Sequence, residues 1–211
     1  MKIKVCGMKY ADNIIEAGIL KPDYMGFIFY PESKRFVTKS IPKLPDSVDK
    51  VGVFVNEKIE KIIDKVRNYD LQAIQLHGKE SVEYCRKIRS EFEKLSPQNP
   101  VIIKAFPIGA DFDFDDLLSY EGLCDFFLFD AKGELPGGNG VLFDWRLLET
   151  YSLQTPFFLS GGIGPESIED LHHFMKTKVA KKCYAIDVNS GFEDGPGLKN
   201  INKLSDFIKK L

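Results

Sequence analysis

Cysteine is scarce in this chain of 211 residues: Cys6, Cys85, Cys124 and Cys183 are its four thiols, and no two stand in a C-x-x-C pair. With no histidine at finger spacing, they make neither a zinc finger nor the dense framework of a disulfide-stapled domain. Histidine is scarcer still, with three in all, and the adjacent pair His172-His173 reads as surface residues of a helix. No apolar run approaches the ~20 residues of a membrane helix. The opening MKIKVCGMK lacks the apolar stretch of a secretion signal. Charge of one sign is also lacking, since 29 Lys and Arg face 31 Asp and Glu for a net −2. That balance excludes a dedicated nucleic-acid binder. No Pro/Gly/Ser-rich linker divides the chain, and no G-x-x-x-x-G-K-[ST] phosphate loop is present. These absences predict one domain over 1–211, reduced and cytoplasmic, engaging neither membrane nor nucleic acid.

What is present is a repeating alternation. Eight short runs rich in β-formers are IKVC (3–6), YMGFIF (24–29), VGVFV (51–55), QAIQLH (72–77), VIIKAF (101–106), DFFLFD (125–130), FFLS (157–160) and YAIDV (184–188). Several carry little polar alternation, as strands of a parallel sheet do when both faces are buried. Their ends recur every 22 to 30 residues, the length of a βα unit with short loops. Helical spacing of apolar residues predicts helices over 57–69, 81–92 and 201–211, and another starting at Pro165. Eight such units favour a closed (β/α)8 barrel over an open sheet. Pro42 and Pro45 lie in 38–50, so a shortened or broken second helix is expected there.

A barrel of this kind places its chemistry at the C-terminal ends of the strands. The polar residues there are Cys6, Gln75, His77, Asp130, Ser160-Gly161-Gly162 and Asp187, followed by Asn189-Ser190-Gly191. Cys6 reads either as a small buried hydrophobe or as a base or nucleophile. Asp130 is a strand end, a cap or a proton donor raised by burial. SGGIGPES (160–167) and NSGFEDGPG (189–197) are glycine-rich loops after the seventh and eighth runs. Such loops expose backbone N–H groups to a phosphate. Arg35 could clamp a carboxylate or stand as a surface charge, and His77 is an acid–base group or a packed histidine. PGGNG (136–140) suggests a lid after Asp130. Lys104 in VIIKAF is the candidate for a lysine-based barrel enzyme.

Together the motifs resemble phosphoribosylanthranilate isomerases of tryptophan biosynthesis. KVCGMK, GFIFYPESKRFV, VGVFVNE, QLHGKES, GGNGVLFDW, LSGGIGPESI and DVNSGFEDGPGLK match that family's blocks in order. The resemblance implies a barrel without cofactor or metal that binds a small phosphoribosyl substrate, as a monomer or homodimer. It implies an Amadori rearrangement with Cys6 as general base and Asp130 as general acid. Arg35 would meet the anthranilate carboxylate, and Asp187 would sit near the substrate nitrogen or orient the thiol. Gly161, Gly162, Ser190 and Gly191 would hold the phosphate, with His77 also lining the site. Asn189 departs from the serine expected in DVNSG, and Lys9 from the threonine expected after CGM. The rival readings are another phosphate-binding barrel enzyme, such as an indoleglycerol-phosphate synthase or ribulose-phosphate epimerase, and a non-catalytic phosphoribosyl-binding module.

Overall fold

A computed structural model describes residues 1–95, 99–131 and 143–211. Eight parallel strands close on themselves in sequence order: β1 (Lys2–Val5), β2 (Tyr24–Ile28), β3 (Asp49–Phe54), β4 (Ala73–Leu76), β5 (Val101–Ile108), β6 (Phe126–Ala131), β7 (Phe157–Leu159) and β8 (Cys183–Val188). Closure runs through β1, whose Lys4 is level with Tyr24 of β2 and with Asp187 of β8. All eight expected runs are strands of the barrel.

Alternation along each strand sorts the side chains into two cores. Tyr24, Val51, Ala73, Ile103, Ala105, Leu128, Phe158 and Ala185 fill the barrel interior. At its N-terminal end the rings of Tyr24, Phe126 and Tyr184 pack together, with the Lys2 ammonium 4.9 Å from the Tyr184 ring centre. The larger core, which includes Val5, Phe27, Phe54, Ile102 and Phe129, lies between the strands and the outer layer. The interior is thus plugged below and in the middle, and polar side chains collect above.

The outer layer is less regular than the strands. Helices α2 (Ile59–Tyr69) and α3 (Val82–Glu93) bury the apolar stripes read from the sequence. Ser81 caps α3 by accepting from the Tyr84 amide at 3.2 Å. After β7 a 3-10 turn from Pro165 leads into α4 (Ile168–Phe174), and α5 (Ile201–Lys210) closes the chain with Phe207 packed on Phe192. Helix α1 (Ala11–Ile19) has no counterpart among the expected elements. Its Asn13 exchanges two hydrogen bonds with the Lys199 backbone. Short 3-10 helices over Phe114–Tyr120 and Trp145–Thr150 follow β5 and β6.

The expected broken second helix is absent altogether. Residues 38–48 carry no helix, and Val37, Leu44 and Val48 are buried from turns and extended chain. Prolines supply no backbone donor, so this stretch covers the barrel by side-chain packing instead. Leu44 and Pro45 lie against Gly18 of α1, where even a methyl group would meet them at 3.3 and 3.4 Å.

Candidate active site

The interior-facing side of β1 carries Lys4 and Cys6, since Ile3 and Val5 belong to the outer core. Both are buried, and the Cys6 amide donates to Val188 O at 2.8 Å, which ties the start of the β1 loop to the end of β8. Gly26 of β2 makes room for the thiol, because a Cβ there would lie 2.7 Å from Sγ. Lys4 Nζ donates to Asp187 Oδ1 at 2.8 Å across the β1–β8 seam, and Ser160 Oγ donates to Asp187 Oδ2 at 3.2 Å.

Across the barrel mouth, Asp130 ends β6. Its Oδ1 accepts from the Ala131 amide at 3.0 Å, and its Oδ2 lies 3.4 Å from His77 Nε2. Gln75, two residues earlier on β4, holds His77 Nδ1 at 2.5 Å through its amide nitrogen. Donation from Gln75 leaves the imidazole proton on Nε2, aimed at Asp130. Asp187 also feels both Asp130 and His77, so one polar ring joins the ends of β1, β4, β6, β7 and β8.

Burial sets the charges in this ring. It pushes the Cys6 thiol above its ordinary range, opposed by Lys4 and reinforced by Asp187. Burial and the neighbouring Asp130 raise the Asp187 carboxyl, against the pull of Lys4 and His77. Burial opposes the Lys4 charge, but Asp187 and Cys6 more than offset it and hold the ammonium above its usual range.

The glycine-rich loops meet. Gly161 and Gly162 both have positive φ, +89° and +65°. A Cβ on Gly161 would lie 2.5 Å from the Ala131 amide nitrogen, so this glycine seats the Asp130 segment as well as turning the chain. Gly191 lies against Ile163 and Gly164, where a Cβ would be 2.6 Å from Ile163 O. The two loops therefore form one cradle, with Ser190 at the start of a short 3-10 turn.

Arg35 is no loose surface charge. Its Nε and Nη2 grip Glu193 at 2.9 and 2.7 Å, and its Cδ packs over Gly7. Glu193 also takes Lys199 Nζ at 2.6 Å, and Lys199 reaches Asn189 Oδ1 at 2.9 Å. This network spans a small hairpin, β9 (Glu193–Gly195) and β10 (Leu198–Lys199), that follows β8. Lys9 turns outward and donates to Lys34 O at 2.9 Å. Lys104 faces the outer core, where Ile102 and Phe106 lie, and pairs with Glu80 at 3.0 Å. It is therefore not a strand-end lysine in the mouth, as a lysine-based rival would need. The suggested lid at 136–140 lies outside the described residues.

Sequence reasoning missed Lys4, Glu193 and Lys199. The signal for Lys4 was its spacing of two from Cys6, which puts both on one face of a strand.

A closed parallel barrel that gathers a thiol, carboxylates, a histidine and two glycine-rich loops at the C-terminal ends of its strands has the form of a barrel enzyme. Residues 3–210 match the family model described as N-(5'phosphoribosyl)anthranilate (PRA) isomerase. An N-(5'-phosphoribosyl)anthranilate isomerase of Parabacteroides distasonis is 45% identical over 218 residues, covering 100% of this chain and 93% of that protein. The crystal structure of phosphoribosyl anthranilate isomerase from Thermotoga maritima superimposes with a TM-score of 0.81 at 34% identity, covering 100% of this chain and 98% of that one. Another, in complex with reduced 1-(o-carboxyphenylamino)-1-deoxyribulose 5-phosphate, gives a TM-score of 0.79 at 32% identity, covering 100% and 97%. The chain belongs to the phosphoribosylanthranilate isomerase family. Its function is the aldose–ketose rearrangement that names the family, a step of tryptophan biosynthesis.

Proposed function

We propose a division of labour within the barrel mouth, with Cys6 as the general base and Asp130 as the general acid of the rearrangement. The observation that carries it is the placement of these two groups at the ends of β1 and β6, joined through Asp187 and His77 into one polar ring over a plugged interior. Opening the ribose ring needs a proton on the ring oxygen, which Asp130 gives. The Schiff base that results then loses a proton from C2′ to the Cys6 thiolate, and the enolamine tautomerises to the ketone. His77, fixed by Gln75, orients the Asp130 carboxyl.

The fused loops at Gly161, Gly162, Ser190 and Gly191 supply the phosphate cradle, and anchoring there aligns the sugar between acid and base. Arg35 keeps its Nη1 group without a partner among the described residues while Glu193 holds the rest of the guanidinium. That free edge suits the anthranilate carboxylate. The whole chain, 1–211, works as one catalytic unit without a cofactor or metal, in the cytoplasm and apart from membranes and nucleic acid. Among the described residues no helix is long and apolar enough to cross a membrane. The working form is a monomer or a homodimer, the Thermotoga maritima relative being described as dimeric.

The test follows fluorescence of freshly made phosphoribosylanthranilate as it is consumed. Cys6→Ala and Asp130→Asn should each lower kcat by about 10²–10⁴-fold while product-analogue binding persists. Full turnover by either variant would overturn the assignment.

A further inference from the structure

Lys4 lies in the barrel interior with its side chain fully excluded from solvent. An ammonium so placed is costly unless its protons are satisfied. Its oxygen partner is Asp187, and the Cys6 thiol two residues on, on the same face of the strand, shares its field. The remaining acceptor of Asp187 is taken by Ser160. One cation therefore serves two acids that stand on neighbouring strands and face the same space. We propose that Lys4 is a positioning residue of the isomerase site, holding the Cys6 thiol and the Asp187 carboxylate about one shared positive charge so that the thiolate can form.

The proposal deepens the reading of Cys6 as base and rests on it for its meaning in turnover. A thiol sunk between β1, β2 and β8 is a poor base by itself, since burial favours its neutral form. The ionisable groups around it are few. Lys4 comes from β1 itself and Asp187 from β8, while Lys199 of β10 and Arg35 after β2 add weaker positive fields. Asp130 and His77 stand at the ends of β6 and β4 and act on Asp187. Of these, Lys4 rises from the same face of the same strand and is the strongest of the groups that favour the thiolate. Its pull outweighs the opposing push of Asp187, so the direction holds even if Asp187 takes up a proton when Lys4 is lost.

Geometry also explains why the lysine stays in place as the thiol changes charge. Lys4 and Cys6 are spaced by two on one strand, so their side chains rise from the same face about two residues apart. Asp187 is level with Lys4 in the sheet register. The ammonium is thus fixed from the side by Asp187 and can turn a proton upward to sulfur without moving its stem.

The experiment titrates the thiol directly and needs no substrate. Ultraviolet thiolate absorbance is followed against pH in the wild type, Lys4→Met and Asp187→Asn, each corrected by the same protein carrying Cys6→Ser. Lys4→Met should move the Cys6 titration to higher pH, and Asp187→Asn, which leaves the cation to the thiol alone, should move it to lower pH. In turnover, Lys4→Met should cut kcat at neutral pH by at least about tenfold, a loss that shrinks as pH rises, with KM little changed. A residue that merely braces the fold would shift both titrations the same way or neither. Unchanged Cys6 titration in Lys4→Met, or shifts of one sign in both variants, overturns the proposal. If Lys4→Met does not fold, Asp187→Asn decides alone, and an unmoved or raised titration is fatal. Absence of isomerase activity in the wild type would count against the reading of Cys6 as base, and the titration would still judge Lys4.

Discussion

Two of the buried lysines stand on barrel strands, on opposite sides of the wall, and they differ in what surrounds them. Lys104 faces the outer core and pairs with Glu80 at 3.0 Å. Its ammonium also donates to the carbonyls of Gly78 and Ala105 at 2.8 and 2.9 Å, and Glu80 accepts from the amides of Asn56 and Gly78. Each partner is backbone or already paired, so the pair is saturated and ties the loops after β3 and β4 to β5. Lys4 faces the interior and meets a carboxylate and a thiol that can both change charge. Equal burial and similar ion-pair lengths thus serve different ends. A buried pair closed by backbone groups suits a scaffold, and one left with titratable neighbours beside the mouth suits the positioning role proposed for Lys4.

The sharpest way to break that distinction is to remove the scaffold lysine. Lys104→Met strands Glu80 among backbone donors, and breaking one side of a buried pair costs roughly 3–5 kcal/mol. Chemical denaturation should show that loss, while kcat of the folded fraction stays at the wild-type value. A large fall in kcat with intact stability would reverse the roles of the two lysines.

The same contrast explains what the sequence disclosed. The strands were legible because runs such as DFFLFD and VGVFV are apolar on both faces, and their ends pointed to Cys6, His77, Asp130 and Asp187. Helix α1 was not, because its buried face is Asn13, Ile14, Ala17 and Gly18, two small residues and an amide with one large apolar side chain. The stretch around Pro42 read as a damaged helix, yet side chains from extended chain cover the barrel there. Lys4 carries no signal of its own in KIKVC beyond its spacing of two from Cys6. Arg35 could not be told from a surface charge, because its partner Glu193 is 158 residues away on a hairpin too short to show a pattern.

Two glycines extend the comparison to the backbone, with a smaller effect. Gly161 and Gly122 both have positive φ, +89° and +75°, but a Cβ on Gly122 meets nothing within 4 Å, whereas one on Gly161 strikes the Ala131 amide and nears Asp130 Oδ1. Gly122→Ala should cost about 1 kcal/mol from conformation alone and leave turnover intact. Gly161→Ala should cost about 1–3 kcal/mol and also lower kcat more than about tenfold, since β6 must shift its acid. Equal effects of the two substitutions on kcat would mean that Gly161 only turns the chain.

Glu193 provides the finest test, because its cluster has features of both lysine pairs. Burial raises its carboxyl, but Arg35 and Lys199 overcome that and hold it below the usual carboxylate range. The sign follows from linkage. A depressed folded-state pKa contributes stability in full above the unfolded value of about 4.3, and that contribution fades as pH falls through the lower folded value. Glu193→Gln keeps the shape and one acceptor but takes the anion from Arg35 and the buried Lys199, so it should lose about 1–3 kcal/mol at neutral pH. Denaturation curves of variant and wild type should converge as pH drops below the carboxylate range. Because Arg35 keeps a free edge only while Glu193 holds the other, KM should rise in the variant with kcat little changed. A change confined to stability would place this cluster with Lys104 as scaffold, and a change in KM places it at the border of the site.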